Sequence, residues 1–399
     1  MVSISTVLMP RIIHYGVDAF SKVGEEAALL GKKALIISDP IIHKLGHVET
    51  CERALDEAHI GHVTYLDVKS EPTDAYVYES LELLKQEACD LIIAVGGGSC
   101  IDTAKAVAVL ATNRREISDY MNNKERATKR ALPLIAVPTT AGTGSEVTDV
   151  TVITNTSNNV KMMIKQPAFL PEVAIVDPVL TVSSPPQTTA ATGIDALTHA
   201  IEAYISRRAH RFTSMLALSA TKLILENIRE AYANGQNLDA REKMSYAAMQ
   251  AGMAFSDSSV CLVHGMSRPI GAVFHVPHGI SNAMLLPAVL EFSFESCKER
   301  LAEIADYVYG DLNGLTLREK ASKLVAEVKK LCSDLNIPNL KDWGIPKDQF
   351  DKSLEKMAKD AIISGSPGNN PRIPSQEEIV ALYQTCYDYQ FSHSQPTSR

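Results

Sequence analysis

The sequence of 399 residues lacks several features that would assign it to a common class of protein. It has no long cluster of Lys or Arg, and its formal net charge is −8, so nucleic acid is not an expected partner. Its seven cysteines are scattered with no C-x-x-C pair, which is typical of free thiols in a reducing compartment. It also lacks a secretory signal and any apolar run long enough to span a membrane. We therefore expect a cytoplasmic protein that does not bind a membrane.

The first half of the chain alternates strand and helix patterns. Continuous apolar runs at 33–38, 90–95 and 132–137 are typical of strands that are buried on both faces of a parallel sheet. Shorter strands are predicted at 11–15, 63–68, 148–154 and 173–176. Helices are predicted between several of these strands, at 19–30, 40–58 and 73–88. The alternation predicts an α/β domain with a parallel sheet over residues 1–183.

The second half contains no convincing strand. The Ser183–Pro186 stretch breaks the alternating pattern, and we place the domain boundary between residues 183 and 184. Helices are predicted at 188–206, 210–232, 239–256, 259–268, 279–293, 296–309, 315–334, 348–362 and 375–390. Residues 184–399 are therefore expected to form an all-α domain.

Two glycine-rich turns follow buried strands. The strand at 90–95 leads into Gly96-Gly97-Gly98-Ser99 and then into a helix that carries Asp102. Glycines let the backbone approach a phosphate, and a helix N-terminus offers free N–H groups. The strand at 132–137 leads into the small residues Thr139, Thr140 and Thr143. Both turns are expected at the sheet edge where α/β proteins bind ligands, facing one dinucleotide; the alternative is two tight turns without a ligand.

Asp39 ends an earlier strand and precedes Pro40. An acid at this point accepts hydrogen bonds from the adenosine ribose hydroxyls and repels the extra phosphate of NADP. The sequence thus favours NAD over NADP. A plain Asp-Pro turn is the alternative interpretation.

The stretch 189–206 predicts a helix that is apolar almost all the way round, and such a helix is normally buried. Asp195 and His199 lie in its middle, four residues apart, so their side chains emerge on one face. Burying a carboxylate and an imidazole costs several kcal/mol unless a metal ion or a hydrogen bond compensates. From this stretch alone, both a metal site and a hydrogen-bonded Asp–His pair stay open.

A second apolar stretch, 263–287, contains His264, His275 and His278. Neutral imidazoles and a carboxylate are the ligands of a borderline divalent metal. Asp195, His199 and two of these three histidines would complete a four-ligand shell. The helix that carries His264 is expected to end before Pro269.

Five motifs give the chain a resemblance, from about residue 10 to residue 390, to the iron-containing (group III) alcohol dehydrogenase family. They are GGGSCIDTAK (96–105), PTTAGTGSEVT (138–148), KMMIKQPAFLPEVAIVDP (161–178), TAATGIDALTHAIEAY (189–204) and HGISNAMLLP (278–287). The resemblance implies an α/β dinucleotide-binding domain, an all-helical metal domain and a dimer or larger assembly. It also implies hydride transfer between NAD(H) and a small alcohol or aldehyde, assisted by Fe(II). The same ligand set would hold Zn(II).

The resemblance also implies roles for individual residues. The metal ligands would be Asp195, His199, His264 and His278. The cofactor contacts would be Asp39, Gly97, Gly98, Ser99, Asp102, Thr139, Thr140, Lys161 and Leu180.

Arg268 departs from the family pattern. Many members carry a histidine at this position, near the nicotinamide, where it is implicated in proton transfer. Arginine is a poor proton relay but a fixed cation that grips a carboxylate, sulfonate or phosphonate. One hypothesis is an anionic substrate held by Arg268, with His275 as a substitute relay. The alternative is that Arg268 points away or pairs with an acid, and that the substrates are simple alcohols.

Three other functions stay open at this point. Dehydroquinate synthase shares the architecture but carries a glycine where Lys105 stands. A hydroxyacid–oxoacid transhydrogenase, which holds its nicotinamide tightly, would use Arg268 for carboxylates. A metal-free NAD-binding protein would leave the Asp–His–His–His set without a purpose.

Overall fold

The computed structural model describes residues 4–113, 115–158 and 160–391. The strands found in these residues are β1 (Ile12–Tyr15), β2 (Lys33–Ile37), β3 (Gly61–Tyr65), β4 (Leu91–Gly96), β5 (Leu134–Pro138), β6 (Val150–Asn155), β7 (Val160–Lys165) and β8 (Val173–Val176). The helices of the same half are α1 (Val23–Leu30), α2 (Pro40–Lys44), α3 (His47–Glu57), α4 (Asp74–Gln86) and α5 (Gly98–Thr112).

The later helices are α6 (Pro186–Ile205), α7 (Arg211–Ala233), α8 (Leu238–Ser258), α9 (Leu262–Phe274), α10 (His278–Tyr309), α11 (Leu317–Asp334), α12 (Lys347–Ile363) and α13 (Gln376–Tyr387). Short 3-10 helices lie at Ala19–Lys22, Ile117–Asn123, Ser145–Val147, Pro167–Phe169, Pro178–Thr181 and Ser366–Asn369. The last described strand ends at Val176 and α6 begins at Pro186. The boundary predicted at residues 183–184 falls between them.

Six strands form one parallel sheet in the order β1-β8-β5-β4-β2-β3. The central strand β4 is buried along its whole length, and Ile93 pairs with Ile36 on one side and Ile135 on the other. This confirms the prediction that the apolar runs are strands buried on both faces. At the carboxyl end, Gly96 pairs with Pro138, so the two glycine-rich turns leave the sheet side by side.

The helical half is organised around α6, which contacts α7, α8 and α10. Residues from these helices join α9, α11, α12 and α13 in one continuous hydrophobic core. Because α6 is surrounded, both faces of a helix that is apolar all round are covered. The predicted combination of an α/β half and an all-helical half is confirmed.

One prediction about helix limits was wrong, and one strand had no predicted bounds. Helix α9 runs through Pro269 to Phe274, whereas the sequence predicted its end before the proline. Tertiary packing overrides the helix-breaking tendency of proline: α9 is buried from Leu262 to Gly271, packs on α10 and α12, and its Met266 carbonyl accepts a hydrogen bond from Tyr383. No bounds were predicted for a strand at 160–165, where β7 pairs antiparallel with β6 in a separate hairpin.

Two further features of the described structure concern membrane-spanning helices and the cysteines. None of the helices within the described ranges combines the length and the apolar character that a membrane crossing requires. All seven cysteines are buried and free.

Candidate metal centre and cofactor cleft

Helix α6 supplies the first two side chains of the site. Pro186 occupies its first turn, where a missing N–H costs nothing, and the helix then runs without a break to Ile205. Asp195 and His199 therefore lie one turn apart on one face. The Asp195 carboxylate is only 1% exposed. A charge buried this deeply must be compensated by neighbouring groups.

Helices α9 and α10 supply the other two side chains. His264 lies in the first turn of α9 and His278 is the first residue of α10. The Nε2 atoms of His264 and His278 lie 3.6 Å and 3.8 Å from Asp195 Oδ1. One potential ligand atom from each of Asp195, His199, His264 and His278 lies within 4.8 Å of the others. The structure thus brings together all four residues that the resemblance assigned to the metal.

Asn282, one turn after His278 on α10, shows that these acceptors face a common point. Its Nδ2 lies 2.6 Å from Asp195 Oδ1, 3.1 Å from His264 Nε2 and 3.2 Å from His278 Nε2. An amide nitrogen carries only two hydrogens, so three acceptors share two donors. Acceptors that converge in excess of the available donors are the arrangement that a cation satisfies. The residues present therefore fit a divalent metal with one carboxylate and three imidazole ligands.

The electrostatics of the site favour metal binding. Burial lowers the pKa of His199 to about 3 and that of His278 to about 4, so both imidazoles are neutral at pH 7. Burial alone would raise the pKa of Asp195, but the surrounding imidazoles bring it well below its usual range. For His264, burial is outweighed by the carboxylates of Asp195 and Glu202, which raise its pKa. Neutral imidazoles and an ionised carboxylate are the states that bind a metal.

The metal centre opens on a cleft of about 360 Å³. Predicted cofactor residues in its lining are Gly97, Gly98, Ser99, Asp102, Thr140, Thr143 and Lys161. The metal-centre residues His199, His264 and His278 line the same cleft, together with Arg268. Cofactor and metal predictions made from separate stretches of the chain therefore meet in one place. Four of the predicted cofactor residues lie outside this lining, namely Asp39, Gly96, Thr139 and Leu180.

The glycine-rich turn brings the N-terminus of α5 close to the second turn. A Cβ atom at Gly98 would lie 2.8 Å from Thr143 Cγ2, and one at Gly96 would lie 2.5 Å from Cys100 Sγ. Neither contact is tolerated without a shift, so glycine is required for the close approach. Cys100 N already donates to Gly97 O at 3.1 Å, whereas the N–H groups of Gly98 and Ser99 have no partner among the described residues and are free for an anion.

Two other cofactor candidates have internal partners. Asp39 Oδ1 caps α2 by accepting hydrogen bonds from Ile41 N at 2.8 Å and Ile42 N at 3.0 Å. Asp102 accepts hydrogen bonds from Ser145 and from Val152 N, which ties α5 to the β6–β7 hairpin. Asp39 Oδ2 makes neither capping bond, so the cap and the predicted contact with a ribose hydroxyl are compatible.

Lys161 and Leu180 lie in different surroundings. The Lys161 ammonium forms an ion pair with Glu71 and packs against Gly271 of α9. This places it at the point where the β6–β7 hairpin meets the helical half. Leu180 is buried in the hydrophobic cluster on one side of the sheet. Thr139 is buried as well, and its hydroxyl has no hydrogen-bond partner among the described residues.

Arg268 is 9% exposed and lies one turn after His264 on α9. Its Nη1 donates a hydrogen bond to Ser366 Oγ at 2.8 Å, and it forms no ion pair with an acid in the described part of the chain. Burial lowers its pKa to about 10, which still leaves it charged at neutral pH. Arg268 thus faces the cleft as a cation whose partner in the structure is neutral.

His275 is placed differently. It is the C-cap residue of α9, has a left-handed φ of 55°, is exposed and lies outside the lining of the cleft. A proton relay must reach the reacting atoms directly or through one water. The geometry therefore gives no support to the prediction that His275 replaces the family's relay histidine.

Sequence reasoning did not find Glu202, Asn282 or Phe255. Glu202 lies 2.7 Å from His264 Nδ1, and the Phe255 ring stacks on His199 with centroids 4.1 Å apart. Glu202 follows Asp195 by seven residues, so its place on the same face of α6 was available from the spacing. Phe255 and Asn282 come from other helices, and no local pattern indicates their contacts.

Comparisons with known proteins agree with this geometry. Residues 10–178 match the family model described as iron-containing alcohol dehydrogenase. Residues 189–387 match the model of the C-terminal part of the Fe-containing alcohol dehydrogenase family. Together these models span nearly the whole chain.

Individual relatives cover the chain at full length. The 1,3-propanediol dehydrogenase of Klebsiella pneumoniae is 39% identical over 384 residues, 95% of this chain and 98% of the relative. A crystal structure of 1,3-propanediol oxidoreductase is 38% identical, with a TM-score of 0.92 over 96% of this chain and 100% of that one. Sulfoacetaldehyde reductase of Bifidobacterium kashiwanohense, solved with NAD+, is 27% identical, with a TM-score of 0.86 over 98% and 100%.

These similarities do not favour the transhydrogenase alternative. They extend over both halves of the chain, including the residues of the metal centre and of the cleft. The chain therefore belongs to the iron-containing alcohol dehydrogenase family and is an NAD-dependent oxidoreductase.

Proposed function

We propose that the protein is a metal-dependent alcohol dehydrogenase or aldehyde reductase whose substrate carries an anionic group bound by Arg268. The observation that carries this proposal is a buried, charged guanidinium in the lining of the cleft, one turn from His264 and paired with a neutral hydroxyl. A buried cation without an acid partner is costly unless a ligand supplies the opposite charge. The planar fork of arginine suits a carboxylate, sulfonate or phosphonate.

In this proposal Asp195, His199, His264 and His278 hold Fe(II), with Zn(II) as the alternative metal. A divalent metal bound there acts as a Lewis acid and lowers the pKa of an alcohol. Four side chains that converge within 4.8 Å, with two imidazoles kept neutral by burial, support the assignment. Phe255 stacks on His199 and lines the cleft together with the apolar residues Val150, Val152 and Met163.

The other end of the cleft binds NAD(H). The N-terminus of α5 and the two glycine-rich turns receive the pyrophosphate, with Gly96, Gly97, Gly98, Ser99, Asp102, Thr139, Thr140 and Thr143 around it. Lys161 contacts the nicotinamide ribose, Leu180 is a further cofactor contact, and Asp39 selects NAD over NADP. The free N–H groups at the start of α5 and the glycine contacts described above support this placement. Hydride transfer at nicotinamide C4 is the chemistry of the cofactor, and the protein supplies alignment.

The domain limits, the cellular location and the oligomeric state are also part of this proposal. We propose residues 1–183 as the NAD-binding domain and residues 184–399 as the metal-binding domain. Seven buried free thiols are consistent with a protein that works in the reducing cytoplasm. The edge strand β1, with Tyr15 half exposed, offers a surface for a homodimer or a larger homo-oligomer.

A solved relative supports the substrate class. By its name, the Bifidobacterium kashiwanohense protein reduces an aldehyde that carries a sulfonate, on the same fold and with NAD+ bound. The family fold is thus compatible with an anionic substrate, and the position of Arg268 in the lining of the cleft supports the same substrate class here.

The test compares two aldehydes of equal chain length, one ending in a methyl group and one in a carboxylate or sulfonate. NADH consumption by the Fe(II)-loaded protein is followed anaerobically. We expect a higher kcat/KM for the anionic aldehyde, and we expect Arg268→Gln to lower that value by about 10- to 100-fold, the loss expected for a hydrogen bond to a charged group. The neutral aldehyde serves as the internal control and should change little.

Two further variants sharpen the result. Arg268→Lys keeps the charge but loses the planar fork, and should retain part of the preference. Arg268→His introduces the residue that many family members carry, and should shift the preference toward the neutral aldehyde. Equal kcat/KM for the two aldehydes in the wild-type protein would contradict an anion-binding role of Arg268.

A further inference from the structure

We propose that Glu202 is the positioning residue of the metal centre. Its buried carboxylate fixes the tautomer and the orientation of His264. It also caps the N-terminus of α9, the helix that carries His264 and Arg268. This inference rests on the metal site proposed above. Glu202 contacts His264, one of the proposed metal ligands, and is not a proposed ligand itself, so it acts through His264. No motif or resemblance assigned a role to it.

The contacts of Glu202 use both oxygens of its carboxylate. Oε2 lies 2.7 Å from His264 Nδ1 and accepts a hydrogen bond from Cys261 N at 2.8 Å. Oε1 accepts a hydrogen bond from Val263 N at 2.6 Å. The side chain is 1% exposed, so water cannot replace these partners. Each of the three donors belongs to the segment that begins α9.

The backbone contacts place the helix. Cys261 is the N-cap residue of α9, and its own side chain makes no capping bond. The first N–H groups of a helix have no partner within it, and a negative charge at this end is favourable. Glu202 provides that cap from α6, the helix that also carries Asp195 and His199. The carboxylate therefore fixes α9 relative to two of the other ligands.

The contact with His264 fixes its tautomer. A carboxylate accepts hydrogen bonds and donates none, so the imidazole proton must sit on Nδ1. Nε2 is then left with its lone pair, and it is this atom that faces Asp195 and Asn282. Carboxylate partners of this kind orient metal-binding histidines and raise their basicity, and their loss commonly costs 10- to 100-fold in metal affinity.

The negative charge of Glu202 also acts on Arg268, which lies on the substrate side of the centre. Glu202 favours the charged form of Arg268 against the opposing effect of burial. Arg268 follows His264 by one turn of α9, so a shift in the start of this helix would move both residues. Glu202 therefore couples the position of a metal ligand to the position of the cation proposed to bind the substrate.

The test measures metal affinity rather than activity. Purified full-length protein is stripped of metal and titrated with Zn(II) in competition with a chromophoric chelator, and its Co(II) form is examined by visible absorption. In Glu202→Gln the amide must either turn its NH2 group toward Val263 N–H or donate to His264 Nδ1, which would move the imidazole proton to Nε2. We expect a metal dissociation constant about 10- to 100-fold higher and a changed Co(II) spectrum.

Two other variants make the test specific. Glu202→Asp keeps the charge but is too short for all three contacts, and should fall between the wild type and Glu202→Gln. Thr198→Val lies in the same buried helix, where the Thr198 hydroxyl bonds only to Ile194 O at 2.7 Å, and should bind metal like the wild type. A loss of affinity in Thr198→Val equal to that in Glu202→Gln would mean a general effect of disturbing α6 and would overturn the role of Glu202.

The remaining outcomes separate this inference from the proposed function. If folded Glu202→Gln binds Zn(II) within twofold of the wild type, Glu202 does not position His264, while the metal centre itself stands. If Glu202→Gln does not fold, Glu202→Asp decides by the same criterion. If the wild-type protein binds no metal, the proposed metal centre fails and this inference fails with it.

Discussion

The cofactor cleft and the metal centre are built in opposite ways. The cleft depends on backbone: the missing side chain at Gly98 lets the start of α5 lie close to Thr143 of the second turn. The metal centre depends on side chains, because three helices bring Asp195, His264 and His278 to one point. The comparison teaches that the first region has no room for a Cβ atom at Gly96 or Gly98 unless neighbouring atoms shift, while the second depends on its ligand side chains.

The two regions also treat buried acids differently. Burial raises the pKa of Glu146, beside the cofactor cleft, to about 7, and Lys105 compensates only in part. Asp195 is buried as deeply, but the imidazoles around it keep its pKa low. The same desolvation cost therefore leaves one acid only about half ionised at pH 7 and the other fully ionised, and the neighbours decide which.

The largest effect is expected from His278→Ala, and a variant of His275, three residues away, serves as its control. His278→Ala removes a ligand that is 34% exposed, so the fold should tolerate it. Because a Lewis acid supplies several kcal/mol of transition-state stabilisation, we expect metal content to fall and kcat/KM to drop by more than about 1,000-fold. Metal content by elemental analysis and NADH consumption measure the two losses. NADH binding should persist, because the residues proposed to hold the cofactor come from the α/β half of the chain.

His275→Asn is the matched control. Asparagine adopts the left-handed backbone that His275 occupies, so the C-cap of α9 is preserved. We expect full metal content and activity within about twofold of the wild type, since surface changes away from a site have small effects. A large loss of activity with full metal content would restore His275 as a proton relay and would contradict its placement outside the cleft.

The contrast between His275 and His278 shows which parts of the candidate site could be predicted from the sequence. The spacing of Asp195 and His199 is local, and a helix of period 3.6 puts them on one face in any context. His275 and His278 lie in the same apolar stretch, and composition does not separate them. They are separated by backbone conformation, because His275 ends α9 in a left-handed cap and His278 begins α10.

The cofactor half was predictable for a different reason. Buried parallel strands appear as continuous apolar runs, and the turns that follow them must meet at one edge of the sheet. The bounds of β7 and the passage of α9 through Pro269 were not predicted, because both depend on contacts made elsewhere in the chain. Glu202 was missed although its spacing was visible, because its partners, Cys261 and Val263, lie 59 and 61 residues away.

A smaller effect is expected from the pH dependence of stability. The folded-state pKa of Glu146 lies near 7, above its ordinary value of 4.5, so this group stabilises the folded state below pH 4.5 and loses that contribution as the pH rises to 7. Between these pH values the free energy of unfolding of the wild type should fall by about 3 kcal/mol relative to Glu146→Gln. Denaturant unfolding of both metal-free proteins at several pH values measures the difference.

The comparison with Glu146→Gln is needed because other groups titrate in the same range. His199 and His278 have lowered pKa values in the folded state, so their contribution rises with pH and opposes that of Glu146. Both proteins retain these histidines, so their effect cancels in the difference. A difference that does not change between pH 4.5 and 7 would mean that Glu146 stays ionised, and that the contrast with Asp195 is wrong.

The smallest effect concerns the glycine that brings the two turns together. In Gly98→Ala the new Cβ would lie 2.8 Å from Thr143 Cγ2, so one turn must move away from the other. Overpacking of this kind costs about 1–3 kcal/mol, and if about 1.4 kcal/mol of this cost falls on cofactor binding, the KM for NADH rises by about 10-fold. Metal content should stay complete, the reverse of the result expected for His278→Ala. Thr143→Ser removes the methyl group that the new Cβ would meet, so the double variant should recover part of the loss, whereas Thr143→Ser alone should change KM little. If Gly98→Ala loses metal as readily as it loses NADH affinity, the two regions are not independent, and the division between a backbone cradle and a side-chain centre would have to be abandoned.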